Sequence, residues 1–152
     1  MKILAIDPSP TIHAYVFWDT DTHDFYGQRM GLDLWKDFSP EWIECSPRPD
    51  LVAVEFPQSY GINAGISLFA TAFNAGIIVA EFSDIDVALF GRQSIKGQIG
   101  GRKDSEVNAS LRMRHGETKK GCKLEGVKKD IWAALALAVA LDENPNLRRV
   151  TW

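Results

Sequence analysis

The chain has 152 residues, 45% of them hydrophobic, the size of one ordinary domain with its own core, and it is read as a single domain over 1–152. Two cysteines, Cys45 and Cys122, are too few for a disulfide framework and lie in no CxxC or Cys/His pattern. That excludes a zinc module and points to reduced thiols in a cytosolic protein. The net charge of −3 is unevenly spread: up to Phe90 there are four Lys/Arg against thirteen Asp/Glu, and from Gly91 to Lys129 eleven against four. A basic block inside an acidic chain is either a phosphate-binding face or a solvated loop.

Met1 to Ile6 is a short apolar run without alternation, as in a strand buried at the centre of a sheet. It is too short for a membrane span or a signal core, and no other run reaches bilayer length, so no membrane association is expected. Asp7-Pro8-Ser9-Pro10 ends the strand, because two prolines cannot continue a central ladder. Ile12 to Asp19, rich in aromatic and β-branched residues, is a second strand, and the short link predicts antiparallel pairing with the first. His23 to Met30 is a third.

Leu32 to Cys45 is predicted helical, restarting at Ser39-Pro40, and Pro47 to Asp50 is a loop. Leu51 to Phe56 is another buried strand, ended by Pro57. Ile62 to Glu81 is a long apolar helix and Asp86 to Phe90 a short strand. Gly91 to Gly101 contains four glycines and is predicted as a loop with one helical turn at Gln93 to Lys96. Lys103 to His115 is a polar helix, Glu117 to Gly126 a Lys-rich loop, and Val127 to Leu141 the closing Ala-rich helix. Strands come first and then alternate with helices, which predicts an α/β domain with a mixed sheet flanked by helices.

Three acids interrupt apolar elements. Asp7 closes the first strand, Glu55 lies near the end of Leu51 to Phe56, and Asp130 heads a stripe on the last helix that continues through Ala134, Leu137, Ala138 and Leu141. A carboxylate beside a core demands a partner. For any one acid that partner is a Lys or Arg; for three at the ends of adjacent elements a divalent cation is the stronger reading, and Mg²⁺ prefers such hard oxygen donors. The histidines, His13, His23 and His115, are read as structural or solvated.

These segments together resemble the RuvC-type Holliday junction resolvases of the ribonuclease H-like superfamily. Ile3-Leu4-Ala5-Ile6-Asp7-Pro8-Ser9 is similar to the opening strand of that family, and Val52-Ala53-Val54-Glu55 to its second motif. Asn63, Ser67-Leu68-Phe69 and Gly76-Ile77 resemble the helix that follows. Ser94-Ile95-Lys96 and Lys103-Asp104-Ser105-Glu106-Val107 resemble its basic segment, and Asp130 with Ala133 to Ala138 its closing helix. The pieces keep family order over nearly the whole chain.

The resemblance implies a ribonuclease H-like fold and a Mg²⁺-dependent endonuclease cutting four-way or other branched DNA, with Mn²⁺ able to substitute and one or two ions per subunit. Asp7, Glu55 and Asp130 would be the catalytic metal ligands. Arg92, Lys96, Arg102 and Lys103 would grip phosphates, with Lys119, Lys120 and Lys123 on a second arm. Tyr60 would either stack on an unpaired base at the crossover or pack beneath its loop. The helix around Ile62–Glu81 would be either buried within one subunit or the seam of a homodimer. The setting implied is the cytoplasm of a bacterium or of a phage-infected host.

Two positions depart from the family. Its closing motif carries two metal ligands three residues apart, and here one of them falls on Ala133 or on Val127, with Glu125 the nearest substitute. The glycine after Asp-Pro is replaced by Ser9-Pro10. Ala133 keeps a second reading open, a DNA-binding relative that lost catalysis. A nuclease of the same fold acting on flaps, forks or RNA–DNA hybrids is a third. An actin-like or sugar-kinase ATPase also opens with a strand ending in Asp, but needs a longer chain with a second phosphate loop.

Overall fold

The computed structural model describes residues 1–31, 48–58 and 65–150, with the backbone alone for 28–31. Five strands form one sheet in the order β3-β2-β1-β4-β5: β1 Lys2–Asp7, β2 Ile12–Asp19, β3 Phe25–Gly31, β4 Leu51–Phe56 and β5 Asp86–Gly91. β1, β2 and β3 run antiparallel in succession, whereas β4 and β5 run parallel to β1. The sheet is therefore mixed, as predicted. Among the described residues four helices accompany the sheet: α1 Ile66–Glu81 connects β4 to β5, and α2 Arg92–Ile99, α3 Asp104–His115 and α4 Ile131–Glu143 follow β5. The helix expected over Leu32 to Cys45 lies outside the described residues, as do Tyr60 and Asn63. Among the described residues no helix is long and apolar enough to cross a membrane.

Strand alternation divides the core between two faces. Leu4, Ile6, Tyr15, Val52, Val54 and Leu89 pack against Ala75, Ile78 and Phe82 of α1 and its end. Ile3, Ala5, Ala14, Val16, Trp18, Ala53 and Phe90 face α4, with Ile95, Ile99, Val107 and Leu111 of α2 and α3 in the same cluster. Every residue of α4 from Ile131 to Leu141 is buried. The amphipathic stripe expected there is thus part of a helix covered all round, because the sheet lies on one side and α2, α3 and Leu124 close the others.

Two sequence expectations shift. Gly91 to Gly101 is a two-turn helix rather than a loop, since Ile95 and Ile99, four apart, both bury against the core. Its Gly100 ends the helix in the left-handed region, at φ +94°. The last helix begins at Ile131 instead of Val127, because Gly126 and Lys129 both take positive φ and interrupt the helical path. Asp130 becomes its N-cap residue.

The β1–β2 turn is tied by Ser9, the residue that replaces the expected glycine. Its hydroxyl donates to Ile12 O at 2.6 Å and accepts from the N–H groups of Ile12 and Thr11. Its backbone N–H donates to Nδ1 of buried His13 at 3.2 Å, and its carbonyl accepts from the Asn74 amide of α1 at 2.8 Å. Ser9→Ala should cost about 1 kcal/mol, read as an earlier urea midpoint at unchanged slope.

Candidate active site

Sheet register brings the first two acids together. Asp50 clamps the start of β4 to β1: its N–H donates to Lys2 O at 2.8 Å and its carboxylate accepts from Lys2 N–H at 2.7 Å. From there Ile3 pairs with Leu51 and Ile6 with Val54. Asp7 and Glu55 follow as neighbours at the C-terminal ends of two parallel strands. Both continue the odd-numbered rows Ile3-Ala5 and Leu51-Ala53, so both point to the α4 face. Asp130, the N-cap of α4, lies close enough for its charge to act on Asp7.

Electrostatics record the proximity. Burial above all, then the charge of Glu55, and more weakly those of Asp130 and Asp104, together raise the Asp7 carboxyl from its ordinary 3.8 to about 8 against the pull of Arg92. Glu55, 9% exposed, is also pushed up by burial, opposed by Arg92. Arg92 Nη1 donates to Glu55 Oε2 at 2.6 Å and Nη2 to Asp104 Oδ1 at 2.8 Å. Lys96 Nζ lies 2.8 Å from the same Asp104 oxygen. Lys96 and Arg92 hold the Asp104 carboxyl below its usual value.

Asp7 and Glu55 thus stand side by side, and Asp130 and Asp104 lie within electrostatic reach of Asp7. Asp104 was not singled out from sequence; it stands among the basic residues of the Gly-rich segment, and only the α2–α3 turn folds it back to the acids. Arg92 and Lys96, predicted as phosphate contacts, are here ion-paired within this cluster. Gly101 allows the tight turn: a Cβ there would meet the Val107 nitrogen at 2.8 Å.

Among the described residues no three of Asp, Glu, His and Cys stand in an ion-holding arrangement as they are, with Glu55 drawn onto Arg92. In chemistry, though not in arrangement, the donors suit a hard divalent cation. Two carboxylates stand side by side at strand ends, and a carboxyl whose neighbours are also acidic gains most from a cation.

The remaining candidates lie further out. Arg102 and Lys103 are exposed at the start of α3, where their backbone N–H groups donate to Glu106 at 2.7 and 3.1 Å. Lys119 and Lys120 are exposed in the loop before α4. Lys123 sits over the Trp18 ring, 5.8 Å from its centroid. Trp18 pairs with Ile3, toward the end of β1 opposite Asp7, which separates Lys123 from the acids. Glu125 is committed within its own loop, accepting from Gly121 N–H at 2.6 Å, and Ala133 and Val127 are buried. Trp132 is covered by the Arg112 guanidinium, 5.2 Å from its ring centroid.

A cavity of about 350 Å³, not anticipated from sequence, opens beside β5 and is lined by Gln58, Gly91, Gln93, Ser94, Arg148 and Arg149. Arg149 reaches it because its backbone bridges to Phe90, and Val150 N–H donates to Leu89 O at 2.7 Å.

No protein-family model matches this sequence, and no curated protein matches it. Solved structures do. The chain is similar to Thermus thermophilus RuvC in complex with Holliday junction substrate, at 16% identity and TM-score 0.73, over 99% of both chains. A second structure of Thermus thermophilus RuvC gives 18% identity and TM-score 0.69 over 99% of this chain and 100% of that one. The fowlpox virus resolvase with Holliday junction DNA gives 18% identity and TM-score 0.51 over 96% and 99%. Over its described residues this chain shares the fold of these resolvases, a mixed five-stranded sheet flanked by helices.

Proposed function

We propose that the protein is a divalent-metal-dependent endonuclease that resolves four-way or related branched DNA by phosphodiester hydrolysis. The observation that carries this reading is the buried cluster at the strand ends, where Glu55 and Asp130 both act on an Asp7 carboxyl already raised by burial. The shared fold with two junction-bound resolvases supports it. Asp7, Glu55 and Asp130 would hold the ion. A bound Mg²⁺ supplies the charge that offsets the developing transition state and makes water a usable nucleophile.

The chain's own groups do the rest. Glu55 is buried and Asp7 half-buried, which limits their screening by bulk water. Arg102 and Lys103, exposed at the edge of the site, take backbone phosphates and set the register of the duplex. Binding should therefore weaken steeply with salt. Arg102→Ala and Lys103→Ala should each lower the slope of log affinity against log salt by about 1. Unchanged slopes in fluorescence-anisotropy titrations would remove these two contacts.

We also assign α1 to a two-fold homodimer seam. Ile66, Phe69, Phe73 and Ile77 recur at helical spacing on its outer side, and all four are exposed in the single chain. Two sites related by a two-fold axis suit paired nicks on opposed strands.

The Glu55–Arg92 pair and the buried Ala133 favour one other reading, a junction-binding protein without catalysis. A single assay separates them: a labelled four-way junction with Mg²⁺ or Mn²⁺, beside flap, fork and RNA–DNA hybrid substrates. Metal-dependent cutting of the junction carries the proposal. Tight binding with no cutting in either metal replaces it with the second reading.

A further inference from the structure

The cavity beside β5 has no part in the site described so far. Its volume of about 350 Å³ admits a sizeable polar ligand, since a water molecule in the liquid takes about 30 Å³. Arg148 and Arg149 line it with the amides of Gln58 and Gln93, the hydroxyl of Ser94 and the backbone of Gly91. Among the described residues no carboxylate reaches its wall.

The two arginines differ. Asp86 engages both ends of the Arg149 guanidinium, at 3.2 and 3.0 Å, and neutralises it. Among the described residues Arg148 makes no ion pair. Its backbone is nonetheless held on both sides, by Leu147, buried in the core, and by the bridge from Arg149 to Phe90. An unneutralised guanidinium on a fixed backbone, at the wall of a polar cavity, suits an anion, and its fork matches two oxygens of a phosphate.

Place decides which phosphate. Phe90 pairs with Glu55 and Gly91 with Phe56, so the cavity begins one strand over from Glu55, about 5 Å away in the hydrogen-bonding direction. Successive nucleotides of a strand lie about 3.4 Å apart along the duplex axis. A strand with one phosphate at the acids therefore has another within reach of the cavity.

We infer that the cavity is a subsite for a backbone phosphate one or two nucleotides from the one at the acids. Arg148 is its charged contact, with Gln93 and Ser94 as neutral donors. The inference rests on the proposed binding of branched DNA and requires no cutting.

Fluorescence-anisotropy titrations of the full chain with a four-way junction, in chelator so that nothing is cut, test it. Arg148→Ala should weaken binding about 10-fold and lower the slope of log affinity against log salt by about 1. Arg148→Lys should keep that slope, having kept the charge. Ser94→Asp puts a carboxylate at the third position of α2, where a helix favours negative charge. It should melt no lower than wild type yet bind about 10-fold more weakly.

Junctions carrying one neutral methylphosphonate, stepped along the strand near the crossover, locate the contact. At one position wild type should lose about 10-fold in affinity and Arg148→Ala nothing further. Unchanged affinity and slope in Arg148→Ala, or equal methylphosphonate penalties in both proteins at every position, would overturn the subsite and leave the nuclease reading standing. So would calorimetric binding of inorganic phosphate that needs Arg148 while junction affinity does not, the mark of a free-ion site. Wild type that binds no junction overturns both proposals.

Discussion

Asp7→Asn should abolish junction cutting and, in metal-free protein at pH 8, raise the melting temperature. The loss of cutting should be about 1,000-fold or more, because Asp7 is the acid on which the others converge. Junction binding should persist, since the proposed phosphate contacts, Arg102 and Lys103, lie just before α3 and not at Asp7.

The stability gain follows from the raised pKa. An ordinary Asp has lost its proton above pH 4, but in the folded chain Asp7 keeps it until about 8. Within that window the folded state binds more protons than the unfolded one. Stability therefore falls as pH rises from about 4 to 8, by at most about 1.4 kcal/mol per pH unit. Below pH 4 both states are protonated and the contribution is flat. Asparagine removes the slope, so wild type and variant should melt alike near pH 4 and diverge toward pH 8. Divalent metal should restore wild type there and leave the variant unmoved. Retained cutting, or a variant less stable than wild type at pH 8, would remove Asp7 from the centre of the site.

Phe73→Glu should convert the protein to monomers without unfolding it. Phe73 is 70% exposed in the single chain and Phe69 66%, so neither is needed to close the core, whereas Ala75 and Ile78 on the opposite side of α1 are buried. Such a stripe is expensive to leave in water, and a charge at its middle should weaken self-association about 30-fold or more. Light scattering across a dilution series reads this directly. Paired nicking should fall to single, uncoupled nicks while the melting temperature, measured at low protein concentration, stays within a few degrees. A wild type that is monomeric at micromolar concentration would end the seam assignment.

Much of this was legible in one dimension. The strands β1, β2 and β4 appear where apolar runs meet proline stops, because a central strand must be apolar on both faces and proline cannot donate to the ladder. Asp7, Glu55 and Asp130 stood out because a carboxylate at the end of an apolar run is costly wherever the chain goes. The helix α2 was not legible: the four glycines between Gly91 and Gly101 argue for a loop, and only burial of Ile95 and Ile99 against α4 outweighs that local preference.

Composition and pattern alone determined a mixed α/β domain and the order of its strands, and singled out three acids that demand a partner, since hydrophobic period and charge burial are local properties of the chain. Which cation answers them was decided in three dimensions. The Asp50 clamp sets the register that places Asp7 beside Glu55, and the α2–α3 turn carries Arg92 and Asp104 to the same point. Contacts between residues so far apart in sequence depend on strand register and helix packing, which no local pattern encodes.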